Sequence, residues 1–150
     1  MAQLTSEFGQ HGSLQRLSWN GQQWIHPWGL EMADAHSFFS LDTGGWDHHA
    51  TILNQQTNRT HCENQLKLDM REGHWQLVWG TTVSETAVQR AASFTALANG
   101  WAMDFVMRFA FRRSAITHAE IANQTIVWDG PNYYHQHPVQ SVALLHGPSQ

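Results

Sequence analysis

Two short stretches of this chain gather the residue types that do chemistry. The first is Asp129-Gly130-Pro131-Asn132-Tyr133-Tyr134-His135-Gln136-His137-Pro138. Side chains two apart on an extended backbone point to one face, so His135 and His137 could act on a single ligand. Imidazole changes charge near neutral pH and also binds metals, which suits it to acid, base or ligand roles. His118 and Glu120 share a face by the same rule and could add a third group from the preceding strand. The second stretch is Gly44-Gly45-Trp46-Asp47-His48-His49. Paired glycines reach backbone conformations closed to other residues and set up a tight loop. That loop would display an indole, a carboxylate and two imidazoles.

Other chemistries lack their residues. No Gly-x-Ser-x-Gly elbow is present for a serine nucleophile, and no glycine-rich loop leads into a helix to cradle phosphate. Lys67 is the only lysine, the net charge is −4, and the arginines are spread along the chain. Displacing counterions from a duplex needs clustered cations, so nucleic acid is not the expected partner. Cys62 is the only cysteine, which excludes an intrachain disulfide and a cysteine-based zinc cage. Charged residues make up 13% of the chain, about half the usual ~25%. Eight tryptophans and eleven histidines stand out instead. Flat aromatic faces and neutral amide or imidazole groups suit a neutral, hydroxyl-rich ligand.

Period-two alternation dominates the elements that must position these groups. Trp101, Met103, Phe105, Met107, Phe109 and Phe111 fall on one face of an extended segment, which predicts a strand with that face buried. Asn99-Gly100 just before it is a hairpin signal, and a two-residue loop there would set Phe94 opposite Phe105. Asn20-Gly21 predicts a second hairpin with Leu17 across from Trp24. A third, around Arg71-Glu72-Gly73, joins a strand carrying Leu66, Leu68 and Met70 to one carrying Trp75, Leu77 and Trp79. Further strands are expected over 114–123, 125–128 and 140–146. Residues 33–58 read as a long loop or a loop with a short strand, and 86–92 as the best helix candidate. The fold class expected is all-β: one antiparallel β-sandwich domain over residues 1–150, built from hairpins. No window is apolar for long enough to span a membrane as a helix, and the first residues lack a secretory pattern, so a soluble cytoplasmic protein is expected.

Two resemblances add to this reading. His135 and His137 are similar in spacing to the His-x-His of the cupin barrel, which would make His118, His135 and His137 the ligands of a metal-dependent enzyme. The stretch from Gly12 to Ile25, the loop Gly44-Gly45-Trp46-Asp47, and Gly73-His74-Trp75 with Trp79 resemble aldose 1-epimerase (galactose mutarotase) relatives. That likeness implies a β-sandwich that binds a sugar on an open sheet face and interconverts anomers with a histidine acid and a glutamate base.

The leading expectation is therefore a carbohydrate-binding β-sandwich with epimerase-like acid–base chemistry. His135 and His137 would be the acid or base and Glu120 their carboxylate partner. Trp46, Asp47 and His48 would contact a small neutral sugar, with neither cofactor nor metal. The alternatives are the cupin-like metal enzyme and a non-enzymatic domain that pairs with a second copy of itself.

Overall fold

The computed structural model describes residues 3–27, 30–41, 44–112, 114–121, 123–127 and 143–147. The strands are β1 (Leu4–Phe8), β2 (Leu14–Trp19), β3 (Gln22–Gln23), β4 (Ile25–His26), β5 (Leu30–Ala33), β6 (Phe38–Ser40), β7 (Gly44–Trp46) and β8 (His49–Thr57). They continue as β9 (His61–Met70), β10 (Gly73–Val83), β11 (Val88–Ala96), β12 (Asp104–Met107), β13 (Ala110–Phe111), β14 (His118–Ile121), β15 (Gln124–Val127) and β16 (Ala143–His146). The described residues contain no α-helix; one 3-10 turn at Gln10–Gly12 sits between β1 and β2. All strand pairing is antiparallel. The fold is all-β, as the alternation predicts. No helix among the described residues is long and apolar enough to cross a membrane.

Two four-stranded sheets, in the orders β11-β10-β9-β8 and β12-β5-β6-β7, contribute to one apolar cluster. Leu66, Leu68 and Met70 of β9 and Trp75, Leu77 and Trp79 of β10 alternate inward, and meet Leu30, Met32, Phe39 and Leu41. Burying each such side chain contributes about 2 kcal/mol, so this cluster is the main source of stability. Strands β9 and β10 are joined by the expected hairpin at Arg71-Glu72, with Gly73 opposite Met70. A smaller cluster of Leu14, Leu17, Ile25 and Val83 lies under the sheet β1-β2-β3 and the β4–β13 pair. The Asn20-Gly21 hairpin forms with both residues at positive φ (50° and 79°), the backbone of a type I′ turn. The Trp24 amide donates to the Leu17 carbonyl at 2.8 Å, which is the expected cross-strand register.

Four expectations depart from the structure. Asn99-Gly100 does not close a hairpin: β11 pairs with β10, whereas β12 pairs with β5. The chain between them crosses from one sheet to the other. Phe94 and Phe105 still meet, with ring centroids 4.8 Å apart and planes at 26°, but across the core. The single buried face predicted over 101–111 is also broken. Phe105 and Met107 pack on the large cluster and Phe111 on the small one, while Trp101, Met103 and Phe109 stay exposed. The segment 86–92 holds no helix: Val88–Ala92 lie in β11. Within 33–58, read as mostly loop, β8 is a nine-residue edge strand. It is exposed on both faces along most of its length, so it carries little apolar alternation to reveal it.

Candidate functional site

The β5–β6 turn and the β9–β10 turn meet, and a buried carboxylate joins them. Asp34 is 4% exposed. Its Oδ1 accepts hydrogen bonds from the backbone N–H of His36 (2.7 Å) and of Ser37 (2.6 Å). Its Oδ2 accepts from the Ser37 hydroxyl (2.6 Å) and from the Glu72 N–H (2.9 Å). The Arg71 N–H donates in turn to the Ser37 hydroxyl oxygen (3.1 Å). Burial alone would raise the Asp34 carboxyl, but these donors outweigh it and hold it below the ordinary carboxylate value. The crossing segment adds a further brace, because the Trp101 amide donates to the Glu72 carbonyl at 2.9 Å.

Above this brace lies an open cleft of about 520 Å³ lined by His36, Asp47, Arg71 and Glu72. His36 Nε2 is 3.5 Å from Glu72 Oε1, and Arg71 is 3.7 Å from Asp47 Oδ2. Asp47 arrives by way of the glycine pair. Gly45 has φ 117°, and a Cβ at that position would collide with the Phe38 carbonyl oxygen. Only glycine lets β7 pass this close to β6. Asp47 itself sits at φ 53°. That turn leaves Trp46, the preceding residue, 61% exposed and stacked on Phe38 with centroids 4.8 Å apart.

The predicted loop residues therefore divide. Trp46 and Asp47 are both exposed; Asp47 lines the cleft and Trp46 precedes it in the chain. His48 turns inward, edge-on to Phe39 at 5.3 Å, and its Nδ1 is buried without a hydrogen-bond partner among the described residues. His49 lies exposed on β8, opposite Asp69. His36, Arg71 and Glu72 escaped the sequence reading, although Asp34-x-His36-Ser37 is an Asx-turn pattern and the Arg71-Glu72 turn was recognised.

Elsewhere, Glu120 lies in the sheet β15-β14-β16. His118 of β14 stands directly opposite His146 of β16, with rings parallel within 1° and centroids 4.3 Å apart. Glu120 Oε1 is 3.4 Å from His146 Nε2, close but without hydrogen-bond alignment. Glu120 thus keeps company with His118 and His146. His135 and His137 lie outside the described residues. Cys62 is fully buried, its thiol beside the Thr57 hydroxyl (3.2 Å) and accepting from the Asn64 amide (3.3 Å).

On the outer face of the long sheet, Asp69 contacts His74 Nδ1 at 2.6 Å and Lys67 Nζ at 3.2 Å. The His74 hydrogen bond, aided by Lys67, holds the Asp69 carboxyl below its ordinary value.

No family model, no curated protein and no solved structure matches this chain. The likeness to aldose 1-epimerase relatives rests on the short motifs quoted above.

Proposed function

We propose that this protein binds a small neutral carbohydrate at the cleft between the β5–β6 and β9–β10 turns. The exposed Trp46 indole, stacked on Phe38 at 30° and next in the chain to the cleft residue Asp47, carries the reading. A large apolar face left open to water is stabilised by a partner that covers it, and the C–H face of a sugar ring is flat and apolar. The groups in the cleft suit the hydroxyls at the ring edge. Asp47 and Glu72 accept hydrogen bonds, and Arg71 and His36 donate them. Two carboxylates against one guanidinium disfavour an anionic ligand such as a phosphate ester.

The same cleft offers the two group types that ring opening of an aldose uses. A base takes the proton of the anomeric hydroxyl while an acid gives one to the ring oxygen. The bond from the anomeric carbon to the ring oxygen then breaks as the carbonyl forms. His36 and Glu72, with Nε2 and Oε1 3.5 Å apart, are the imidazole and carboxylate available for it.

Saturation-transfer NMR against a panel of neutral monosaccharides and disaccharides tests the binding. Trp46→Ala should weaken affinity at least tenfold (about 1.4 kcal/mol) with the melting temperature unchanged. Absence of binding at millimolar sugar would overturn the proposal. Anomer-exchange rates on the same samples then separate a catalyst from a binding protein. In a catalyst, His36→Asn and Glu72→Gln lose the exchange and weaken binding far less.

A further inference from the structure

We infer that His118, Glu120 and His146 form a binding site for a divalent first-row transition ion of the Zn²⁺ type, separate from the carbohydrate proposal. One ligand atom from each residue lies within 4.8 Å of the other two. In a tetrahedral zinc site, ligands at 2.0–2.1 Å from the ion stand roughly 3.3 Å from one another. The contraction required is therefore at most about 1.5 Å, and Glu120 Oε1 already stands 3.4 Å from His146 Nε2. His118 and Glu120 are two apart on β14 and share its face, and His146 is the cross-strand partner of His118. The antiparallel register thus delivers all three to one patch.

The hydrogen bonds around the cluster prepare it for a cation. Thr117 Oγ1 donates its only proton to the His146 carbonyl at 3.0 Å. It can then only accept from His118 Nδ1, which lies 3.0 Å away. His118 is thereby held with its proton on Nδ1 and a free lone pair on Nε2, the arrangement that second-sphere partners give to metal-binding histidines. His146 Nε2 is out of contact with solvent and has no hydrogen-bond partner among the described residues, yet it faces the Glu120 carboxylate at 3.4 Å. A buried nitrogen in that condition is stabilised by whatever occupies the space before it.

The donor set selects the ion. Two imidazoles and one carboxylate suit zinc and its neighbours, whereas calcium and magnesium prefer all-oxygen sites. The Glu120 side chain is 47% exposed, so a coordination position on its side opens to solvent. The site would therefore hold a water or a small ligand as the fourth group, as three-ligand zinc sites do.

The experiment is calorimetric titration of Zn²⁺ into the chelator-stripped full chain, with Co²⁺ absorption as a second readout of coordination geometry. The unmodified protein should take up one ion more tightly than any weak surface sites. Glu120→Gln and His146→Asn should each lower that affinity at least tenfold and remove the intense visible bands of tetrahedral Co²⁺. His49→Asn, an exposed histidine on β8, should leave both readouts unchanged. No uptake overturns the inference, as does uptake that Glu120→Gln and His146→Asn leave within threefold of the unmodified protein. Because Glu120 is exposed, loss of the fold in its Gln variant is not expected, and circular dichroism verifies this.

Discussion

In the cleft, His36, Arg71 and Glu72 come from two turns that a buried carboxylate ties together, with four hydrogen bonds converging on Asp34. In the histidine cluster, His118, Glu120 and His146 are spaced by the ladder of a three-stranded sheet, and one ring nitrogen has no hydrogen-bond partner among the described residues. The difference is one of preorganisation. The backbone beneath the cleft is braced, so the two turns that carry its groups are already set in place before binding. The cluster has its parts at hand and needs an added charge to draw them together. A site of the first kind should be damaged through its support, and one of the second kind through its ligands.

The strongest way to test that contrast is to remove the brace. Asp34→Ala leaves the Ser37 and Glu72 amides without their acceptor, and each buried group stranded in this way costs about 1–3 kcal/mol. A loss of about 3 kcal/mol in denaturant unfolding is expected, together with loss of sugar binding. Zn²⁺ uptake at His118, Glu120 and His146 should persist wherever the variant remains folded. Equal damage to both sites would mean that they are not independently supported.

Gly45→Ala comes next. It places a methyl group against the Phe38 carbonyl at a φ of 117°. Strain of this kind costs about 2 kcal/mol, and relief requires β7 to move away from β6. Trp46 and Asp47 move with it, so sugar affinity should fall along with stability. A variant that kept full affinity would show that the Gly44–Asp47 loop does not shape the site.

Acid should act on the braced region in the same sense. Asp34 and Asp69 both have carboxyls held below the ordinary value of 3.8. A carboxylate with a depressed native pKa contributes stability that is fully present above the unfolded value and is lost as pH falls through the native one. Unfolding free energy from neutral pH down to about pH 4 should therefore retain this contribution, and it should decline below that. Asp34→Asn should flatten the decline, and a curve identical to that of the unmodified protein would remove Asp34 from the account.

The legible and illegible parts of this molecule follow from what a linear pattern can carry. Strands β9 and β10 were readable because one face is buried along their whole length, so the alternation of Leu66, Leu68, Met70, Trp75, Leu77 and Trp79 is complete. Asn20-Gly21 was readable because a type I′ turn is a local requirement. Asn99-Gly100 carries the same signal, yet the chain crosses between sheets there, and the packing of Phe105 on the core prevails over the turn preference. Strand β8 was hidden by being polar and exposed on both faces. The site divides similarly. The glycine pair announced a tight loop and so drew attention to Trp46 and Asp47. His36 and Glu72 are brought together by tertiary contact between two turns, which no spacing in the sequence records. His118 and Glu120 were visible as a strand face, whereas their partnership with His146 depends on the β14–β16 register.

The smallest effect is expected at Glu120, and it separates the two kinds of site most cleanly. Its side chain is 47% exposed and its contact with His146 lacks hydrogen-bond geometry, so it contributes little to the metal-free fold. Glu120→Gln keeps the shape and removes the charge, and without metal the unfolding free energy should change by less than about 0.5 kcal/mol. Added Zn²⁺ should stabilise the unmodified protein, because an ion bound only by the native state raises its stability with the logarithm of concentration. The Gln variant should need at least tenfold more ion for the same rise in melting temperature. If the variant is instead destabilised without metal, the Glu120–His146 contact is already a brace of the kind Asp34 provides, and the distinction between a preformed site and one assembled by its ligand fails.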